Sequence, residues 1–358
     1  MVASSSATQS SFAAEGYLQQ LLQKATSAGA RDVHLKVGQP PGARVRGALV
    51  FFRVDKIRPS DTEAVARLLI KEEKVLADLD KLREYDTSYS APGIGRFRVN
   101  VYRQRGSLAI VMRVIPFNVP NLEKLGAPQA CYALAEKDRG LVLCVGAAGN
   151  GKSSTLAAMI DHMNHTTQRH IVTIEDPIEY LYEDDKCSIS QREIGADTHS
   201  FASALRAALR QDPDVIQVGE IRDAETMEIA LKAAETGHLV ISTLHTPDVT
   251  RTMNRIIALS DDKNPEELRE RLGDALQGIV AQRLLPREGG GMVLAAEVLV
   301  STGSVRETIK RPLGNPPLKE LMESGQSMYG MQTFEMHIKQ LIKEGLLDRE
   351  VGRAAMGF

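Results

Sequence analysis

With 358 residues, the chain exceeds a single small core and calls for more than one domain. Its 43% apolar and 25% charged residues are those of an ordinary globular protein, and a net charge of −2 gives no overall attraction to nucleic acid or an anionic membrane. Aromatics at 4% and the absence of Trp argue against a stacking platform for single-stranded nucleic acid.

The opening Met1–Ser11 is polar, without a basic start or an apolar core, so residues 1–12 read as a disordered leader rather than a signal peptide. Residues 1–115 then read as a mixed α/β domain. Tyr17, Leu18, Leu21, Leu22 and Ala25 give one apolar face to a helix over Gly16–Ser27. Strands are expected at Val33–Val37, Ala43–Val50, Arg96–Tyr102, where apolar and polar residues alternate, and Leu108–Val114. Pro116, Pro120, Gly126 and Pro128 mark residues 116–128 as a linker.

From residue 129 to 358, apolar strands alternate with helices, the sign of a doubly wound sheet. Met227, Ala230, Leu231 and Ala234 line one face of a helix over Arg222–Glu235. A further helix starts at Asn264, with Asn264 as N-cap, Pro265 at the first position and Glu267 as capping-box partner. Its expected apolar face is Leu268, Leu272, Ala275, Leu276, Ile279 and Val280. Cys131, Cys144 and Cys187 form no C-x-x-C pair or disulfide framework, which fits a reducing, cytoplasmic setting. No stretch reaches the ~18 continuous apolar residues of a membrane span, so work at a membrane would pass through partners.

Gly146-Ala147-Ala148-Gly149-Asn150-Gly151-Lys152-Ser153 matches the phosphate-binding pattern G-x-x-x-x-G-K-[ST]. It lies between an apolar strand, Leu141–Val145, and a helix opening at Ser154, the context the motif requires. Glycines let backbone N–H groups curl around phosphate oxygens at the positive end of a helix. Lys152 would reach the β/γ-phosphates, Ser153 would ligate Mg²⁺, and Ser154 would extend the cradle. A nucleoside triphosphate, ATP with Mg²⁺, is the expected ligand.

Asp214–Glu220 is a mostly apolar strand ending in an acid, as a Walker B strand does. Glu220 would orient the attacking water or hold Mg²⁺ through a water. Gly219 stands where many P-loop enzymes place a metal-binding Asp. A second acid, Glu175, ends the run Ile171–Ile174 and is a better candidate than Glu179; a solvated acidic turn is the alternative. Arg206 and Arg210 share a helix face and would serve either as charge-neutralising groups or as surface ion pairs. His238 and His245 flank a buried-looking strand, and sensing of the nucleotide state is preferred to zinc. His337, on the apolar face of Phe334, Ile338, Leu341 and Ile342, reads as a satisfied core residue.

These blocks occur in the order of the Walker A, Asp box, Walker B and His box of the secretion-ATPase superfamily. Ala204–Asp223, Ala233–His238, Tyr329–Thr333 and Ala28–Leu35 resemble the PilT-type retraction ATPases of the type IV pilus, PilU-like paralogues included. The resemblance implies a PAS-like N-terminal domain plus a RecA-like P-loop ATPase domain, arranged as a homo-hexamer. It implies nucleotide between the domains, with Arg98, Arg105 and Arg113 as the matching N-domain arginines. It also implies work on an inner-membrane pilus platform protein, a paralogous pilus ATPase as a further partner, and no nucleic acid. A nucleotide-binding accessory ring, or a type IV secretion ATPase, are the alternatives. The chain has no room for the extra N-terminal domain and four-cysteine zinc motif of assembly ATPases. Asn150, Ala148 and Arg31 stand where the family has Ser, Thr and Ser, and Asp261–Pro265 departs from its usual linker. Gln217 puts an amide into a strand expected to be apolar; it needs a hydrogen-bond partner or a place facing the site.

Overall fold

The computed structural model describes residue 12 and residues 15–115, 119–259 and 264–356. Residues 1–11 of the expected leader, 116–118 of the expected linker and 261–263 of the divergent segment lie outside them. Phe12, the last leader residue, is 5% exposed and packs edge-on against Tyr17, so it is part of the fold. The chain divides into two compact units, Met1–Phe117 with Glu179–Leu181, and Asn118–Ile178 with Tyr182–Phe358. Leu122, placed in the linker by its proline-rich surroundings, is 1% exposed in the core of the second unit.

The first unit contains α1 (Glu15–Ser27), β1 (Ala30–Lys36), β2 (Gly42–Val45), β3 (Ala48–Phe51), α2 (Pro59–Leu69), α3 (Glu73–Ala77), β4 (Glu84–Ala91), β5 (Gly95–Gln104) and β6 (Ser107–Ile115). Its six strands form an antiparallel sheet in the order β3-β2-β1-β6-β5-β4. Alternation decides the faces. Phe97, Val99 and Val101 are buried against Leu18, Leu22, Val65 and Leu69 of α1 and α2, while Arg98 points to the other side. Arg105 and Gly106 both have positive φ, +48° and +80°, forming the tight hairpin turn between β5 and β6.

The second unit begins with α4 (Ala130–Ala135), β7 (Gly140–Val145), α5 (Lys152–Thr166), β8 (His170–Glu175), β9 (Ser188–Glu193), α6 (Phe201–Ala208) and β10 (Val215–Val218). It continues through α7 (Ala224–Glu235), β11 (Leu239–Leu244), α8 (Val249–Leu259), α9 (Pro265–Ala275), β12 (Leu276–Pro286) and β13 (Met292–Val300). Five helices close the chain: α10 (Gly303–Lys310), α11 (Leu318–Ser324), α12 (Gln326–Tyr329), α13 (Phe334–Lys343) and α14 (Arg349–Met356). The sheet order is β13-β12-β7-β11-β10-β8-β9, parallel except for the antiparallel edge strand β13. β7, β10 and β11 are buried at every position, as parallel strands covered on both faces should be. One face packs on Leu156, Met159, Ile160 and Met163 of α5; the other packs on α6 and α7.

One expected helix is shorter than its pattern. Asn264 does cap α9, its Oδ1 accepting from the N–H groups of Glu266 and Glu267, but the helix ends at Ala275. Leu276, Ile279 and Val280 belong instead to β12, paired with β7. A run buried on both faces carries helical spacing by coincidence, and the ladder to β7 satisfies its backbone.

His337 sits as expected, its Nδ1 accepting from the Ala296 N–H at 2.9 Å. Burial pushes it below its ordinary value of 6.5. The unfolded chain then takes up the proton first, so this residue's contribution is present above about pH 6.5 and is lost as pH falls through its folded value. The urea midpoint is expected to fall between pH 7.5 and 5.5, and to fall less in His337→Asn, which keeps an acceptor but does not titrate. Identical drops in the two proteins would locate the acid sensitivity elsewhere.

Candidate active site

β7 delivers the chain to Gly146, whose φ is +151°. A Cβ there would stand 2.6 Å from the Gln282 carbonyl oxygen, so only glycine lets the loop start this close to β12. Gly151, at φ +78°, is the N-cap of α5 in a left-handed conformation. The loop therefore ends on the first turn of a 15-residue helix, where unpaired N–H groups and the dipole favour an anion. Ala147, Ala148 and Gly149 form its exposed rim, and Ser153 and Ser154 lie half-buried in the first turn. Lys152 is 7% exposed and donates from Nζ to the Ala147 carbonyl at 3.0 Å.

Three side chains tie this loop to its neighbours. Asn150 Oδ1 accepts from the Leu284 N–H at 3.0 Å, a bond to β12 made by a residue that departs from the family pattern. Gln282, fully buried, donates from Nε2 to Thr155 Oγ1 at 2.7 Å and accepts from the Cys144 thiol at 3.1 Å. One amide thus joins β7, α5 and β12 beneath the phosphate loop.

Glu220 follows β10 by two residues, with its side chain 12% exposed. Its Oε2 receives His245 Nε2 at 2.9 Å, and the Arg222 guanidinium lies against its Oε1. Arg222 also approaches Asp176 Oδ2 at 3.8 Å. Burial lowers the pKa of His245, and the positive charges of Lys152 and Arg222 lower it further. His245 is therefore neutral near pH 7, and because a carboxylate only accepts, its proton sits on Nε2. Histidine and Walker B acid thus form one bonded pair, with the Arg222 guanidinium beside it.

Glu175 ends β8 and is 7% exposed. Its Oε1 accepts from Thr173 Oγ1 at 2.7 Å and Gln191 Nε2 at 3.1 Å. Glu179, the weaker candidate, is exposed and groups with the first unit. Gln217 is 6% exposed, and among the described residues nothing donates to its Oε1.

The other expected residues make other contacts. Arg206 pairs with Glu225 on the exposed surface of α6 and α7, and Arg210 donates to the Arg206 carbonyl at 3.0 Å. His238 stands at the amino end of β11 and His245 at its carboxyl end, about 20 Å away along the strand. The two histidines therefore stand at opposite ends of the strand, and His238 bonds the Ala233 carbonyl at 3.0 Å. In the first unit Arg98 and Arg113 are cross-strand neighbours, and Arg113 donates to Asp32 at 2.8 Å. Arg105 lies at the far end of β5, in its turn. Arg222, Thr173, Gln191 and Gln282 were not singled out from the sequence. Arg222 was legible as the basic residue two places beyond Glu220, but the others become meaningful only through strand register.

An anion cradle on a helix N-terminus, a lysine inside it and a buried carboxylate past a neighbouring strand define a P-loop nucleoside triphosphatase. The chain belongs to the type II/IV secretion system protein family, whose model matches residues 7–345, and it is an ATPase. It is 41% identical to the type IV pilus retraction ATPase PilT of Pseudomonas aeruginosa, over 93% of this chain and 96% of that one. It is 38% identical to the type IV pilus ATPase PilU of the same organism, over 93% of this chain and 86% of that one. A crystal structure of the pilus retraction motor PilT with bound ADP is similar at a TM-score of 0.83 and 43% identity, covering 94% of this chain and 96% of that chain. Among the described residues, no helix is long and apolar enough to cross a membrane.

Proposed function

We propose that this chain is a hexameric motor that hydrolyses ATP to drive type IV pilus retraction, and with it twitching motility. The observation that carries the reading is the likeness to PilT sustained over 93% of the chain. The phosphate loop with Lys152 inside it and the bonded Glu220–His245 pair support it. The loop from Gly146 to Gly151 and the first turn of α5 would hold the phosphates, with Lys152 on the β/γ pair. Ser153 would bind Mg²⁺ directly and Glu220 through a water; the ion would neutralise charge on the transferring phosphoryl group. Glu220 takes the water proton or orients the water, and neutral His245 holds the carboxylate in place. Glu175 supports the site from β8. As the family resemblance implies, Arg98, Arg105 and Arg113 would reach the nucleotide, and Arg206, Arg210 and His238 would serve as further charge-neutralising or sensing groups. The ring would work in the cytoplasm at the pilus base, on an inner-membrane platform protein.

Deletion in the source organism is expected to leave surface pili in place but abolish retraction. The native gene should restore retraction, and one encoding Glu220→Gln should not. Normal retraction in the deletion strain overturns the reading. The likeness to PilU favours a second reading, an accessory ring beside another pilus ATPase. Under it, retraction in the deletion strain fails only under load, and Glu220→Gln restores it.

A further inference from the structure

Gln217 is an amide in the interior of the Walker B strand, where Val215, Ile216 and Val218 are apolar and buried. Alternation places it on the face that Val215 shares with α5. Across the parallel ladder it is paired with Thr173, and Thr173 in turn with Gln191. Three polar residues therefore form one row over β10, β8 and β9, neighbours about 4.8 Å apart. The second and third already donate to Glu175 Oε1. Gln217 is 6% exposed, between the fully buried Thr173 and the partly buried Gln191, yet its Oε1 has no donor among the described residues. A buried acceptor without a partner is rare in a folded protein, and the common remedy is an ordered water with two to four polar neighbours. Thr173 Oγ1 and the Glu175 carboxylate supply such neighbours.

We propose that Gln217 is a positioning residue of the hydrolytic site, holding a buried water that links its Oε1 to the Thr173–Glu175 pair and so fixes the Glu175 carboxylate. The proposal rests on the ATPase reading of Glu175 and extends it to a residue that no phosphate-loop pattern contains. The water donates to Glu175, which favours its ionised form. Without the amide the carboxylate protonates more readily, and the acidic limb of the kcat profile moves to higher pH.

The test compares purified native protein with Gln217→Met, of similar length and volume, and Gln217→Leu. Both are expected to fold with an unchanged or raised thermal midpoint, because an unmatched polar group has been removed. The kcat should fall about tenfold, the rate equivalent of one hydrogen bond to a charged group, with the KM for ATP nearly unchanged. The acidic limb should shift upward, and a crystal structure of the native protein should hold a water on Gln217 Oε1 that Gln217→Met lacks. Native kcat, KM and pH profile in both variants overturn the proposal. So does a loss of kcat that tracks lowered stability with the acidic limb unmoved, since that is a packing effect. A native protein without turnover would instead sink the motor reading, and the crystallographic water would then decide the placement of Gln217 by itself.

Discussion

Glu220→Gln is expected to abolish ATP turnover while leaving nucleotide binding intact. The change keeps the shape of the side chain, so the His245 and Arg222 contacts lose charge assistance but retain a neighbour. What disappears is the carboxylate two residues beyond β10, because an amide cannot take a proton from water near neutral pH. General-base and water-orienting groups contribute about 10²–10⁴-fold, so kcat should fall by that factor. The phosphate cradle is built from other residues, Gly146 through Ser154, so the dissociation constant for ATP should change by less than about threefold. Stability should barely move, since Arg222 is largely exposed and such pairs contribute about 0–1 kcal/mol. Steady-state kinetics beside equilibrium nucleotide titration check this. A kcat within about tenfold of native would transfer the role to Glu175.

Gly146→Ala is the second large effect, and it acts on the scaffold. The added methyl would lie 2.6 Å from the Gln282 carbonyl, and at φ +151° an alanine is strained before any neighbour is counted. The obstacle is backbone in a ladder shared with β7 and β13, so it cannot swing aside as a side-chain tip could. Strain and overpacking together are expected to destabilise the protein by about 3 kcal/mol. Gln282 also joins Thr155 and Cys144, so the displacement spreads to α5 and the loop. Nucleotide affinity should therefore fall by roughly tenfold or more in whatever remains folded. Chemical unfolding and nucleotide titration read the two effects separately. Native values in both would mean that β7 and β12 separate more easily than their register implies.

Much of this site was legible in the chain because its chemistry is local. The phosphate loop is contiguous, and its strand and helix flank it directly, so Gly146–Ser153 led to β7 and α5 without any knowledge of the sheet. Glu220 and His245 were found because each follows an apolar strand whose end must reach the ligand edge. The misjudged parts depend on long-range pairing. Leu276, Ile279 and Val280 have helical spacing, and only the ladder to β7 makes them strand. Thr173, Gln191 and Gln217 are scattered through three blocks, and register alone aligns them.

The bridge made by Gln282 has an evolutionary consequence. Its two ends are used differently, the oxygen toward the Cys144 thiol and the nitrogen toward the Thr155 hydroxyl, and all three residues are buried. Changing any one of them alone strands a buried polar group, so single steps are selected against while a matched set is neutral. Positions 144, 155 and 282 are therefore expected to be inherited as one character. Across relatives they should vary together or not at all, although the first and last are separated by most of the ATPase core.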